Sequence, residues 1–460
     1  MYLEMNLFKG LLTLFKKLMN LNIEDMSTAQ ILVSGYFVII ITGTMLLMLP
    51  SATTQAGGMS FLNALFTSTS ATCVTGLIVV NTASAFTVFG QLVIMILIQI
   101  GGLGIMTMST LVAFIIGKKI TLKERLIIQE DLNQFKISGL VRLIRYVIGF
   151  TLIFEGIGAL IMFFRLLVDY EPMRALYLAV FHAVSAFNNA GFDLFGNSLE
   201  SFTGDIAINF VVMSLIIIGG IGFGVITEIF NLKKFKHISL QTKIVFLISG
   251  FLIVFGMIVI FGFEFTNPET MGNLKFGDKM LSSLFLSVTP RTAGFNTVPT
   301  GSLRNSTLFF IIILMFIGAS PGSTGGGIKT TTFGVMILTL WNLMIGKKDI
   351  EIFNRQLEKD IIFKAIAITM ISAGLVVFVT IILTITEQAT FLDILFETVS
   401  AFGTVGLSTG VTPNLSEIGR TLIIFTMFAG RVGPLTFAVA FAEKERKGIY
   451  HYPTEDVMVG

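Results

Sequence analysis

Charge is scarce in this chain. Of 460 residues, 13% are Asp, Glu, Lys or Arg, about half the share of an ordinary soluble domain. Cysteine is nearly absent. Cys73 stands alone, which excludes an intramolecular disulfide and a Cys-rich metal site. The three histidines, His182, His237 and His451, are scattered, with no acid or thiol at metal-ligand spacing. An excess of positive charge is also missing. Thirty-one Lys and Arg against 28 Asp and Glu leave +3, too little to bind nucleic acid by bulk electrostatics. What fills the space is apolar: 54% of the residues are hydrophobic and mean hydropathy is +0.86. Water would not tolerate that surface, and a disordered chain would not carry it. The composition points to a polytopic membrane protein.

Gaps between charges mark the spans. None of Asp, Glu, Lys or Arg occurs from Met26 through Gly117, and further charge-free windows run Ile206–Thr227, Ile244–Phe263, Asn305–Ile328 and Ala365–Thr386. A helix needs about 20 residues to cross the hydrocarbon core. The expected spans are 31–49, 88–116, 146–168, 207–230, 243–263, 306–345, 361–386 and 419–441. Segments 117–145, 231–243 and 346–364 are basic, with Lys118, Lys119, Arg125, Lys233, Lys234, Lys347 and Lys348 among others. The remaining connections carry acids such as Asp193, Glu200 and Asp205. The positive-inside rule puts the basic segments, and both termini, in the cytoplasm. No cleavable signal peptide is expected. Residues 1–26 read as a basic amphipathic interfacial helix, with Lys9, Lys16 and Lys17 among leucines and phenylalanines.

Between alternate spans lie segments too short to cross twice, and four of them are alike. They contain Phe66-Thr-Ser-Thr-Ser70, Phe181-His-Ala-Val-Ser185, Phe285-Leu-Ser-Val-Thr289 and Phe396-Glu-Thr-Val-Ser400. Each leads to a glycine, at Gly76, Gly191, Gly294 and Gly406. A recurrence of about 110 residues outranks any local motif. The expected fold is an all-α polytopic membrane protein of four covalently joined repeats. Each repeat is span, pore helix and span, giving eight transmembrane helices and four re-entrant loops around one pseudo-fourfold pore. The repeats occupy 27–117, 118–231, 232–346 and 347–442, with cytosolic ends 1–26 and 443–460.

Such a unit has a specific physics. Non-helical backbone at membrane depth needs protein or a watery cavity around it. Four turns around one axis can aim their carbonyls inward and replace the hydration shell of a cation. Glycine suits the required dihedrals. The short helices would aim their negative C-terminal ends at the same cavity. The expected ion-binding backbone is Val74, Thr75 and Gly76; Asn189, Ala190 and Gly191; Thr292, Ala293 and Gly294; Thr404, Val405 and Gly406.

These residues resemble the TrkH/KtrB family of bacterial potassium transporters, in particular the KtrB/KtrD membrane subunits of Ktr systems. The resemblance spans roughly residues 27–460 and is most specific at Asn188–Phe192, Pro290–Asn296 and Ala401–Leu407. Thr404-Val405-Gly406 also resembles part of the potassium-channel filter sequence. The resemblance implies potassium uptake, sodium-stimulated in Ktr systems, across a bacterial cytoplasmic membrane. It implies a homodimer and a cytosolic ring of nucleotide-binding RCK subunits of KtrA/KtrC type. Nucleotide would act only through that partner, because the longest cytosolic piece here is about 29 residues.

The sixth span is interrupted by Gly318-Ala-Ser320-Pro321-Gly322-Ser323-Thr324-Gly325-Gly326-Gly327-Ile-Lys329. Helix does not persist through Pro321 and these glycines. The run is one residue off a phosphate-binding loop and follows no strand, so nucleotide is not expected. A mobile intramembrane loop facing the pore is expected, and the resemblance implies a gating loop here. Gly318 and Arg431 each lie 12 residues into their spans, about 18 Å deep at 1.5 Å per residue. Arg431 is therefore expected to face the pore and touch the loop. Gly101-Gly-Leu-Gly104 and Gly219-Gly-Ile-Gly-Phe-Gly224 read as sites of close helix packing. Glu155 reads as a structurally paired acid and His182 as a packing residue. Nothing marks Cys73 as reactive. An enzyme is not expected, for lack of a catalytic constellation. The rival reading is a cation-coupled symporter with alternating access, disfavoured by four repeats of one orientation.

Overall fold

The computed structural model describes residues 27–55, 57–104, 107–108, 126–127, 129, 140–231, 238–347, 350–441 and 455. The N-terminal stretch 1–26, most of the first basic loop and most of the C-terminal tail lie outside the described residues. The described chain is almost wholly helical. Among the described residues, four helices are long and apolar enough to cross a membrane: α1 (Thr28–Leu47), α4 (Leu140–Leu166), α8 (Leu240–Glu264) and α12 (Lys359–Thr386). Each is followed by a short buried helix: α2 (Phe61–Thr72), α5 (Pro172–Phe187), α9 (Phe276–Val288) and α13 (Phe391–Gly403). Returning helices follow: α3 (Val88–Leu103), α6 (Ile206–Ile221) with α7 (Phe223–Asn231), α10 (Asn305–Phe316) with α11 (Thr330–Met344), and α14 (Glu417–Val432) with α15 (Pro434–Phe441). A two-stranded hairpin, β1 (Glu351–Ile352) and β2 (Arg355–Gln356), precedes α12; the sequence pattern does not announce it.

The solvent pattern is inverted relative to a water-soluble bundle. The long helices expose their apolar side chains, including Leu152 and Phe164 on α4, Phe251 and Ile258 on α8, and Met370 and Phe378 on α12. The short helices turn hydroxyl side chains inward. Thr67 through Ser70 and Thr398 and Ser400 are closed off from the outside. An apolar exterior around a polar interior is what a hydrocarbon solvent selects. The recurring Phe66, Phe181, Phe285 and Phe396 are all fully buried and seat the short helices.

The helix contacts close a ring. Each short helix packs against the long helix before it, and against the returning helix of the preceding unit: α5 on α3, α9 on α6, α13 on α10, and α2 on α14. The last of these joins the two ends of the chain.

The returning helices correct the expected spans. The second, fourth and eighth were expected to be continuous; each breaks. The breaks fall at Gly104 (φ 85°, ψ 144°), Gly222 (φ 103°, ψ 135°) and Gly433 (φ 94°, ψ 132°). This backbone region is closed to residues with a Cβ. At Gly222 the chain turns by 95° between α6 and α7. The packing reading of the glycine clusters holds three residues earlier. A Cβ on Gly101, Gly219 or Gly430 would collide with the carbonyl of Thr72, Phe187 or Phe402, at the end of a short helix. The spacing Gly-x-x-Gly thus does two things in turn: close approach, then a break.

Gly219→Ala should therefore destabilise the purified protein by about 1–3 kcal/mol, the usual cost of overpacking. Gly374→Ala on α12, with nothing near its Cβ position, should be neutral or slightly stabilising. Thermal unfolding in detergent compares the two; equal midpoints would refute the packing argument.

Candidate functional site

The short helices end in four turns of one backbone pattern. Val74, Asn189, Thr292 and Thr404 have φ of 57°, 59°, 69° and 50°, and the glycines two residues on have φ of 89°, 69°, 76° and 90°. A β-branched residue at positive φ is unusual and strained. Three of the four are valine or threonine, so the surroundings must hold them there.

The turns meet edge to edge. A Cβ on Gly76 would fall within 3 Å of the Ala190 carbonyl oxygen. On Gly191 it would meet the Ala293 oxygen, on Gly294 the Val405 oxygen and on Gly406 the Thr75 oxygen, each as closely. The four turns so form a closed cycle in which one carbonyl of each faces the glycine of the next. All twelve residues expected at this place, from Val74 to Gly406, lie in or beside that cycle; the eight that are not glycine are fully buried, Gly76 and Gly294 are buried, and Gly191 and Gly406 are half-buried.

A hydroxyl residue on each short helix anchors its turn. Thr75 N donates to Ser70 O at 2.8 Å, Ala190 N to Ser185 O at 2.8 Å and Val405 N to Ser400 O at 2.8 Å. In the third turn Ala293 N donates to Thr289 O at 3.0 Å. The ring closed there is one residue shorter, which explains the shorter Thr289–Gly294 spacing. Gly76 N and Gly406 N donate to the hydroxyls of Ser70 and Ser400, both at 3.1 Å. Ser185 and Thr289 instead donate to Phe192 O (2.7 Å) and Phe295 O (2.6 Å).

The loop between α10 and α11 packs directly on this cycle. Ile317 and Ile328 pair as a parallel bridge at its neck, with Gly318 N donating to Ile328 O at 2.8 Å and Ser320 Oγ lying 2.9 Å from Thr330 Oγ1. Gly326 N donates to Thr404 Oγ1 at 3.0 Å, and a Cβ on Gly325 would strike Thr292 Oγ1. The rest of the loop completes the broken helix α6. A helix ending at Gly222 leaves carbonyls without partners. Ser320 N donates to Gly220 O (2.9 Å) and Thr324 N to Gly219 O (3.2 Å), while Phe223 N at the start of α7 donates to Gly322 O (2.8 Å). Pro321 O abuts Gly222, Ser323 Oγ donates to Ser320 O at 2.6 Å, and Gly322 and Gly327 take positive φ.

Two cations pin the loop. Lys329 Nζ donates to Gly325 O at 2.7 Å. Arg431 Nη1 donates to Thr324 O, and its Nη2 to Gly101 O. Arg431 therefore bridges the loop to the freed C-terminal carbonyls of α3, where the helix dipole favours positive charge. The loop and Arg431, expected at one level from their depth in the sequence, do meet.

Several polar residues escaped the sequence reading. Asn188, at the end of α5, donates from Nδ2 to Glu155 Oε1 (3.0 Å) and Gln99 Oε1 (2.9 Å), so Glu155 has the structural pairing expected of it. Arg291, beside the third turn, donates to Ser249 O (3.1 Å) and Ser249 Oγ (2.7 Å). His182 packs as expected, fully buried against Phe195, and its ring is hydrogen-bonded as well. Its Nε2 accepts from Leu194 N at 3.2 Å and its Nδ1 lies 2.7 Å from Leu178 O. Outside the membrane-spanning segments, burial raises the Glu200 carboxyl from its ordinary value, against a hydrogen bond from Asn296 that lowers it.

The sequence profile of the TrkH cation transport proteins matches residues 4–451. The chain belongs to this family. It is 48% identical over 431 residues to the Ktr system potassium uptake protein B of Bacillus subtilis (strain 168), covering 94% of this chain and 96% of that one. It is 42% identical to the Ktr system potassium uptake protein D of the same organism, over 95% and 98%. The potassium/sodium uptake protein NtpJ of Enterococcus hirae is 36% identical, over 95% and 98%. Among solved structures, the potassium transporter TrkH from Vibrio parahaemolyticus superposes with a TM-score of 0.73 at 18% identity, over 92% of this chain and 86% of that one. That likeness carries the fold alone, a helical one. The family is one of cation transport proteins, not of enzymes.

Ser70→Ala would leave the buried Gly76 N–H without its acceptor, a loss of about 1–3 kcal/mol. Thr421→Ala on α14 removes only a bond to its own helix at Glu417 O and should stay within about 0.5 kcal/mol. Unfolding midpoints of the two variants test the anchor.

Proposed function

We propose that this chain is the translocating subunit of a Ktr-type potassium uptake system. The cycle of four carbonyl–glycine approaches carries the reading. Such a cycle offers a cation backbone oxygens in place of water. Potassium is the expected cargo, since the Ktr relatives are named for potassium uptake; NtpJ, named for potassium and sodium, makes sodium the competitor to test. In this reading the repeats 27–117, 118–231, 232–346 and 347–442 surround one pseudo-fourfold pore of eight spans and four re-entrant helices. The protein sits in a bacterial cytoplasmic membrane with both termini inside, as a homodimer on an RCK ring of KtrA/KtrC type.

The filter is the oxygens of Val74–Gly76, Asn189–Gly191, Thr292–Gly294 and Thr404–Gly406. Loop 318–329 is the gate, held shut by its bonds to Thr404, Gly219 and Gly220 and by Arg431. The guanidinium adds a repulsive step for any cation that has left the filter. Opening must release the loop from α6, whose freed carbonyls it now satisfies. A partner acting on the cytosolic side would reach the loop through α7, which is bonded to it at Phe223.

The test is potassium-limited growth and rubidium uptake in a bacterial host stripped of its own potassium importers, with and without a co-expressed RCK subunit and sodium. Wild-type uptake is expected, with relaxed selectivity in Gly294→Ser and uptake raised several-fold by Arg431→Gln or deletion of 320–326. A well-expressed wild type with no uptake would overturn the potassium reading. Unchanged rates in both gate variants would overturn the gate.

A further inference from the structure

The four short helices can be aligned on their phenylalanines. The next residue is then Thr67, His182, Leu286 or Glu397. Each stands three residues before its hydroxyl anchor, on the same helix face. His182 and Glu397 differ in chemistry yet make the same contact. His182 Nε2 accepts from Leu194 N at 3.2 Å, and Glu397 Oε1 accepts from Thr409 N at 2.9 Å. Leu194 and Thr409 are both the third residue after the turn glycine. In the second and fourth units the strand leaving the turn is thus tied to one helix face at two heights, first by the serine, then by a longer acceptor.

Both acceptors are built in. Glu397 is buried, and its carboxylate also accepts from Ser408 Oγ at 2.5 Å and from Thr412 Oγ1. His182 is buried, stacked on Phe195 with centroids 4.1 Å apart. Leu286 offers no acceptor, and the first and third units are tied differently. Both rest on the outer segment of the second. Asn81 Nδ2 donates to Gly196 O at 2.8 Å, Asn296 N donates to Ser198 Oγ at 3.0 Å, and Leu199 N donates to Asn296 O at 3.0 Å. His182 therefore stands under the segment that braces two neighbours, and Glu397 braces its own unit.

We propose that His182 and Glu397 are positioning residues of the ion path, fixing the outer end of the glycine turns and hence cation affinity and selection, by accepting a backbone N–H rather than by charge. The inference rests on the uptake reading above. The chemistry asks only for an acceptor of the right length. Glutamine supplies one; leucine, which the third unit already carries, does not.

The experiment uses the full-length protein in proteoliposomes, measuring rubidium influx and its competition by sodium. Glu397→Leu and His182→Leu should each raise KM for rubidium roughly tenfold, the scale of one lost buried hydrogen bond to a charged or aromatic acceptor, and should lower the rubidium-over-sodium ratio. The maximal rate should fall less than KM rises. Glu397→Gln should recover most of both. Ser408→Ala and Thr412→Val, which each remove one donor to Glu397, should shift KM in the same direction by less, and they serve if the leucine variants do not fold. Amide hydrogen exchange at 407–412 should quicken in Glu397→Leu and not in Glu397→Gln, whether or not the wild type carries rubidium. Wild-type KM and ratio in a folded Glu397→Leu, or in both donor variants, would overturn the proposal. So would equal effects of Gln and Leu, which would assign the role to charge, or unchanged exchange in Glu397→Leu. Absence of rubidium influx in the wild type together with the expected exchange would instead remove the potassium reading and leave the struts.

Discussion

Four backbone turns can approach one another as closely as they do here only where no Cβ intervenes. The oxygens of Thr75, Ala190, Ala293 and Val405 occupy the space that a side chain on the next glycine would need. The remaining architecture follows from holding that cycle together inside an apolar solvent. Turn backbone in a membrane must find all its hydrogen bonds within the protein. The short helices supply them through Ser70, Ser185, Thr289 and Ser400, and the buried phenylalanines seat those helices. The long helices then need only to be apolar outside and closely packed inside.

A second constraint explains why the returning helices break. Gly101, Gly219 and Gly430 let three of them press against the carbonyl ends of the short helices. Three residues later a glycine turns the chain out of helix. Each break exposes carbonyls that want partners. The structure answers them in two ways. At α6 the loop 318–329 provides backbone N–H groups; at α3 Arg431 provides a guanidinium, itself bonded to the loop. Loop 318–329 and the broken helix α6 are thus tied through the same carbonyls, so moving the loop means exposing them again.

The near-symmetry is most informative where it fails. The third turn is one residue shorter and closes a smaller hydrogen-bonded ring at Thr289. Two hydroxyl anchors accept and two donate. Asn188 and Arg291 occupy neighbouring sites behind successive turns yet reach for Glu155 and for Ser249. A covalently joined ring allows each sector its own support, which four identical chains could not.

Sequence alone determined the apolar solvent and the place of the four glycine turns. Sparse charge and long apolar windows dictate a membrane, and a Phe–hydroxyl–Gly pattern recurring four times marks the turns, because both are properties of residue type along the chain. The depth count for Gly318 and Arg431 worked for the same reason, since helical rise is fixed. The breaks at Gly104, Gly222 and Gly433 were visible as Gly-x-x-Gly but not separable from packing, because helix interiors tolerate glycine for either purpose. Only tertiary structure decided which carbonyl each glycine meets, what Arg431 bonds on α3, and that His182 and Glu397 reach equivalent amides. The Arg431 contact depends on the ring closing between residues 330 positions apart, which no local pattern encodes, and the two amide contacts depend on how the chain folds back over the 12 residues that span each turn.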